Sequence, residues 1–197
     1  MKKELVPVVK TGLKLLPKQC QSCNFWQGGS LTGSVNSFAL SQRQLQAKKG
    51  NVSLGKLLLA GGKTVGYVNY APAAFFPRLS SLPLSPASLD TIFIACFYIL
   101  ENHRRQGLGR YFLNCLEREL MQQGYKSIET IVKHYPKKSP AGWLEFYQAC
   151  GFKPVRQIND LVLMRLDMKS IVTWADKVGE VVALVRKKSV NVSHEIR

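Results

Sequence analysis

Residues 91–123 read TIFIACFYIL, ENHRRQGLGR and YFLNCLERELMQQ in succession, and this stretch decides the architecture. Asp90 opens a run of apolar residues from Thr91 to Leu100, rich in Ile and Phe. Such a run is about half as long as a helix that crosses a bilayer, and it reads as a buried strand. A polar turn follows. Leu108, Phe112, Cys115, Leu116 and Leu120 then recur at helical spacing until Gly124 stops the helix.

A buried strand, a turn with two glycines and an amphipathic helix together make an anion site. The first N–H groups of a helix have no intrahelical partner, and the aligned peptide dipoles add partial positive charge there. Gly107 and Gly109 remove side chains that would keep a pyrophosphate from those donors. Arg104, Arg105 and Arg110 add cationic partners for phosphate. A glycine turn on a basic surface is the bland alternative, and a short glycine motif alone does not exclude it.

Working outward, Lys56–Ala60 and Thr64–Tyr70 read as strands joined by the hairpin turn Gly61-Gly62-Lys63. Ala71 to Leu89 holds four prolines together with Phe75 and Phe76. A loop of that length is either a binding wall or a passive connector. Downstream, Ser127–Lys133 alternates as a strand, Ala141–Cys150 reads as a helix stopped by Gly151, and Leu161–Met168 alternates again. A helix is expected over about 34–49. Trp174, Val178, Val181, Val182 and Val185 trace a helical face near the C-terminus, ahead of the basic Arg186-Lys187-Lys188. This order implies a mixed α/β, or α+β, sheet. The division expected is an N-terminal extension over 1–35, a core domain over 36–168, and a C-terminal helix with basic tail over 169–197.

The chain has 197 residues, suited to one domain, and a formal net charge of +16. Glu4 is its only acid before Asp90, against eleven Lys and Arg in that stretch. A positive field draws in anions, so nucleic acid, a membrane surface and an anionic cofactor all suit it. Five cysteines, an odd number, and an N-terminal segment interrupted by Glu4, Lys10 and Lys14 point to reduced thiols and a cytoplasmic location, without membrane insertion. Cys20 and Cys23 have the spacing of half a zinc site. No second cysteine pair or His-x-x-x-His follows, so two turn cysteines packing against Trp26 is preferred and no metal is expected.

Arg104-x-x-Gly107-x-Gly109, entered from an apolar strand and opening a helix, resembles the acetyl-CoA signature of the GNAT superfamily of N-acetyltransferases. Phe146-Tyr147-Gln148-Ala149-Cys150-Gly151-Phe152 resembles that family's second motif, about forty residues downstream. The likeness extends over roughly residues 55–168. It implies a central mixed sheet, flanked by helices, in which Thr91–Leu100 splays from Ser127–Lys133 at the acyl-CoA site. Pantetheine would lie in that split and pair with backbone near Tyr98 and Ile99. Backbone N–H groups of Gln106, Gly107, Leu108, Gly109 and Arg110 would bind the pyrophosphate. A neutral amine would attack the thioester of acetyl-CoA directly, with Tyr147 near the sulfur. The chain departs from the family at Pro140, seven residues before Tyr147, where many members carry asparagine, and at Arg104, where glutamine is common.

A general base would remove a proton from the acceptor amine. Glu129, Glu101 and His134 are candidates, and Glu129 is preferred for its strand beside the acyl channel. Phe75 and Phe76 are the expected acceptor contacts. The acceptor amine itself is not legible, and a homodimer is compatible with the sequence. The rival reading is a GNAT-like module that binds acyl-CoA or nucleic acid without turnover. No interleaving of aromatic and basic residues of the kind that stacks bases supports the nucleic-acid version.

Overall fold

Seven strands line up in one mixed sheet: β1 (Lys3–Pro7), β2 (Lys56–Ala60), β3 (Lys63–Pro72), β4 (Thr91–Ile99), β5 (Ser127–Lys133), β6 (Lys153–Ile158) and β7 (Leu161–Asp167). They stand in the order β1-β2-β3-β4-β5-β7-β6, and every neighbouring pair is antiparallel except β4 and β5. Among the described residues the α-helices are α1 (Lys18–Gln21), α2 (Leu108–Gln122) and α3 (Leu144–Ala149). The computed structural model describes residues 2–8, 14–21, 23, 25–27, 55–76, 78–79, 82–84, 91–133 and 141–168. The helix expected over 34–49, the helical face from Trp174 onward and His134 lie outside the described residues.

The two faces of the sheet carry separate cores. Leu108, Phe112, Leu113, Leu116 and Leu120 of α2 pack on Leu58, Ile92, Ile94, Ile128 and Val132. Leu113 belongs to this stripe and is fully buried, whereas Cys115 is only half-buried. The opposite face holds Trp26, Phe76, Leu79, Leu84, Phe93 and Ile131. At about 25 cal/mol per Å² of apolar area, each large side chain removed from water here contributes roughly 1.5–3 kcal/mol. β2 and β3 meet through Gly61 and Gly62, both at positive φ, as a two-residue hairpin of the twist-compatible kind requires.

β1 and β6 were not expected from the sequence. β1 is a half-exposed edge strand of mixed composition, and β6 is an exposed edge carrying Pro154 and a register shift between Pro154 and Arg156. Neither has a buried face that would impose alternation, so neither leaves a period-2 signature. The helix expected over Ala141–Cys150 is confined to Leu144–Ala149.

β4 carries a bulge. Asn69 pairs with Cys96 and Tyr70 with Ile94, which leaves Ala95 as the extra residue. Its carbonyl accepts a hydrogen bond from Trp26 Nε1 at 2.8 Å, in a buried setting. Trp26 packs edge-on to Phe93 at 5.2 Å and to Phe76 at 6.1 Å. Trp26→Phe keeps a ring in that cluster and strands the Ala95 carbonyl. The expected loss is about 1–3 kcal/mol of unfolding free energy, read by urea titration. An unchanged midpoint would show that the carbonyl finds another donor.

Cys20 sits in a third cluster with Val8, Leu16, Leu57 and Tyr67, apart from the cluster that holds Trp26. None of the five cysteines forms a disulfide. Among the described residues, no group of three or more His, Cys, Asp or Glu could hold a metal ion.

Candidate active site

β4 and β5 pair only from Thr91–Ser127 to Ile94–Thr130. Beyond that rung β4 continues to Ile99 with β3 still along its other edge, while β5 continues to Lys133 against β7. Two neighbouring parallel strands therefore part company in mid-sheet. Among the described residues, no strand pairs with the β5-facing edge of β4 beyond Ile94, a stretch that includes the half-buried Tyr98 and the buried Ile99. An extended ligand can pair there as a strand would.

The turn at the end of β4 leads into α2. Arg105 at φ 60° and Gly107 at φ 73° both take the left-handed conformation, which turns successive N–H groups to one side. Gly107, having no side chain, caps α2 without a side-chain hydrogen bond to its first turn, where helix N–H groups can meet an anion. A Cβ at Gly107 would meet nothing within 4 Å, so the space in front of the turn is open. Gly109 stands against α3. A Cβ there would lie 3.1 Å from Phe146 Cε2, so its smallness lets Phe146 approach α2.

Two of the three arginines also brace the turn. Arg104 Nε donates to the Ile99 carbonyl at 2.9 Å, and its guanidinium lies 5.4 Å from the centre of the Tyr98 ring. Arg110 Nη2 donates to the Ala149 carbonyl at 2.9 Å, tying the first turn of α2 to the C-terminal end of α3. Gln106 Nε2 bonds back to the Asn102 carbonyl at 3.1 Å.

The helix α3 supplies an aromatic wedge. Phe146 stacks on Phe97 of β4 at 5.3 Å, and Tyr147 packs edge-on to Phe97, Phe146 and Phe152. Tyr147 is fully buried. Its hydroxyl donates to the Ala141 carbonyl at 2.8 Å, so it is neither wet nor unpaired. Burial pushes the phenol far above its ordinary pKa, and the neighbouring Thr130 hydroxyl acts against that rise.

A split between parallel strands, a donor-rich turn at its end and a tyrosine wedge beside it form one arrangement. A model of the acetyltransferase (GNAT) family matches residues 28–152, well over half of the chain. The chain belongs to the GNAT family. Solved structures agree on the fold. A GNAT-family protein from Desulfovibrio desulfuricans superposes with a TM-score of 0.59 at 16% identity, covering 85% of this chain and 99% of that one. The ribosomal-protein-S18-alanine N-acetyltransferase of Escherichia coli gives 0.53 at 16%, covering 85% and 94%. The PaiA N-acetyltransferase of Thermoplasma acidophilum, solved with coenzyme A, gives 0.54 at 13%, covering 85% and 99%. No curated protein matches the sequence.

In this GNAT domain the base candidates are unequal. Glu101 is exposed and pairs with Arg104 at 3.3 Å. Glu129 is 1% exposed, one residue short of the point where β4 and β5 part. Its Oε1 accepts from Arg165 Nη1 at 2.9 Å, while Oε2 is buried without a hydrogen-bond partner. Phe76 is core, against Trp26 and Phe93, and Phe75 packs on the same cluster half-buried. Arg78 lies over the Phe25 ring at 4.1 Å. The described part of the proline-rich segment is thus a packed wall on the face opposite α2.

One titratable group escaped the sequence reading. Glu117 of α2 is 7% exposed, and its Oε1 is buried without a hydrogen-bond partner. Burial raises its pKa to about 7, with Arg118 opposing. A carboxyl raised in the folded state favours folding while protonated, and that contribution fades as pH climbs from the ordinary 4.5 through about 7. Unfolding free energy is expected to fall by about 2 kcal/mol between pH 5 and pH 8 from this group, at 1.36 kcal/mol per pKa unit. Glu117→Gln should flatten that slope in urea titrations at the two pH values. A slope unchanged by the substitution would exclude Glu117 as its source.

Proposed function

We propose that the protein is an acetyl-CoA-dependent N-acetyltransferase in which an acceptor amine attacks the thioester directly, without an acyl-enzyme. The observation that carries this is the parting of β4 from β5 after Ile94–Thr130, between the Tyr147 wedge and the first turn of α2. The β4 edge there suits an extended pantetheine near Tyr98 and Ile99. The N–H groups of Gln106 to Arg110 suit the pyrophosphate, with Arg104, Arg105 and Arg110 supplying charge. The relative from Thermoplasma acidophilum solved with coenzyme A supports the choice of cofactor.

Within this reading Tyr147 protonates the departing thiolate, and Glu129 Oε2 takes the proton shed by the amine. Phe75 lines the acceptor side with Phe76 behind it. Five thiols without a disulfide suit a cytoplasmic enzyme. Among the described residues, no helix is long and apolar enough to cross a membrane.

The test is thiol release from acetyl-CoA in the presence of a pool of small amines, amino acids and peptides with free N-termini. A salt titration of nucleic-acid binding runs beside it. Enzyme-dependent thiol release supports the proposal, and a raised acceptor KM in Phe75→Ala supports the acceptor side. Strong salt-sensitive binding without any thiol release would establish the binding module instead.

A further inference from the structure

The two oxygens of the buried Glu129 carboxylate have different surroundings. On β5 this residue stands opposite Arg165 of β7 and, on its other side, beside Phe93 of β4. Residues directly opposite on neighbouring strands share a face, so the three form one row across the sheet. At one end Arg165 Nη1 donates to Oε1 at 2.9 Å. At the other end Phe93 has no donor to give, and Oε2 is buried without a hydrogen-bond partner. Phe93 belongs to the cluster that holds Phe75 and Phe76, the face read above as the acceptor side.

Arg165 is itself held from outside. Its Nε donates to Asp167 Oδ1 at 2.8 Å, two residues along β7 on the same face. The Arg165 side chain is 27% exposed, against 1% for Glu129. The guanidinium thus spans the boundary, with one nitrogen on a surface acid and another on the buried one. Its nitrogens lie in one rigid plane, so fixing Nε also fixes where Nη1 points. Two acids and one base leave the trio one negative charge. An amine nitrogen becomes positive as it adds to an acyl carbon, and it suits both that charge and the unpartnered oxygen.

We propose that Arg165 is the positioning residue for Glu129 in transfer of the acceptor's proton, fixing Oε1 so that Oε2 alone meets the attacking nitrogen. The proposal rests on the reading of Glu129 as the base. In the step, nitrogen bonds to the acetyl carbon and the C–S bond breaks, its electron pair passing to sulfur. One N–H bond breaks with its electron pair staying on nitrogen, and an O–H bond forms at Oε2. Sulfur takes a proton from Tyr147. Solvent carries the Glu129 proton back to Tyr147, and no other reagent is consumed.

The same row supplies a control. Lys153 of β6 is exposed and stands opposite Arg165 on the side away from Glu129. Lys153→Gln therefore removes a cation from the row and leaves the Arg165–Glu129 hydrogen bond in place. The experiment measures thiol release from acetyl-CoA with the amine pool, together with acetyl-CoA affinity, for Arg165→Met, Arg165→Lys, Glu129→Gln, Lys153→Gln and the Glu129→Gln/Arg165→Met double variant. Arg165→Met is expected to lower kcat about tenfold, the lower end for a hydrogen bond to a charged group. Acceptor KM and acetyl-CoA affinity should change far less, because the positioned oxygen matters in the transition state. Arg165→Lys keeps a cationic donor for Oε1 and should recover part of the rate. In a Glu129→Gln background, Arg165→Met should add nothing, because residues acting through one another are not additive. Lys153→Gln should retain kcat.

Independent, multiplying losses in the double variant would overturn the proposal. So would an equal loss in Lys153→Gln, a wild-type kcat in Arg165→Met, or a loss confined to acceptor KM. If Arg165→Met does not fold, Arg165→Lys carries the same comparison, its partial loss of kcat vanishing in the Glu129→Gln background. A Glu129→Gln single variant with full kcat would show that the base reading itself had failed, and the positioning role with it.

Discussion

Tyr147→Phe is expected to lower kcat by roughly tenfold to a thousandfold, the range for loss of one acid or electrostatic donor. When an amine attacks a thioester, the sulfur leaves as a thiolate, which a dry channel stabilises poorly. Tyr147 is a fully buried hydroxyl beside the split, and it is already oriented by Ala141 O. To act, it must turn from the Ala141 carbonyl, itself a buried acceptor. The phenylalanine variant leaves that carbonyl without its donor, so a stability loss of about 1–2 kcal/mol accompanies the rate loss. Acetyl-CoA affinity should hardly change, because the ring and its contacts with Phe97, Phe146 and Phe152 persist. A variant with wild-type kcat, measured where chemistry limits the rate, removes Tyr147 from the mechanism and leaves the fold assignment intact.

Gly107→Glu is expected to weaken acetyl-CoA binding by tenfold to a hundredfold, about 1.4–2.7 kcal/mol in calorimetry. Two effects combine at this position. The backbone at φ 73° disfavours any side chain by about 1–2 kcal/mol, a strain on the turn. The added carboxylate also enters the open space before the helix donors, where a pyrophosphate would sit. Gly107→Ala separates the two, since it carries the strain without the charge and should lose much less affinity. Equal affinity in a folded Gly107→Glu variant would mean that the cofactor phosphates lie elsewhere.

Much of the architecture was legible because burial leaves a pattern in the chain. Thr91–Ile99 is covered on both faces and shows as an apolar run, and the α2 stripe shows as helical spacing. The turn into α2 was legible because left-handed backbone restricts residue choice, and glycine marks such places, as Gly107 does at φ 73°. The two motif stretches, at Arg104–Gly109 and Phe146–Phe152, carried the family.

Other features depend on partners remote in sequence. On the last rung before β4 leaves β5, Thr130 bonds Ile94 O, and the carbonyl at the Ala95 bulge is met by Trp26, which lies 69 residues away. The missing side chain of Gly109 also admits Phe146, a contact made only once α3 folds over α2. Glu117 sits among ordinary helix residues and becomes a raised carboxyl only through burial. By itself the sequence determined which segments are strands covered on both faces, where the glycine turn into α2 lies and which family the chain belongs to, because those properties are written in residue type and spacing. The tertiary structure alone decided where the sheet opens and which hydroxyls and carboxyls are withdrawn from water, because hydrogen-bond geometry and desolvation arise only between elements brought together by folding.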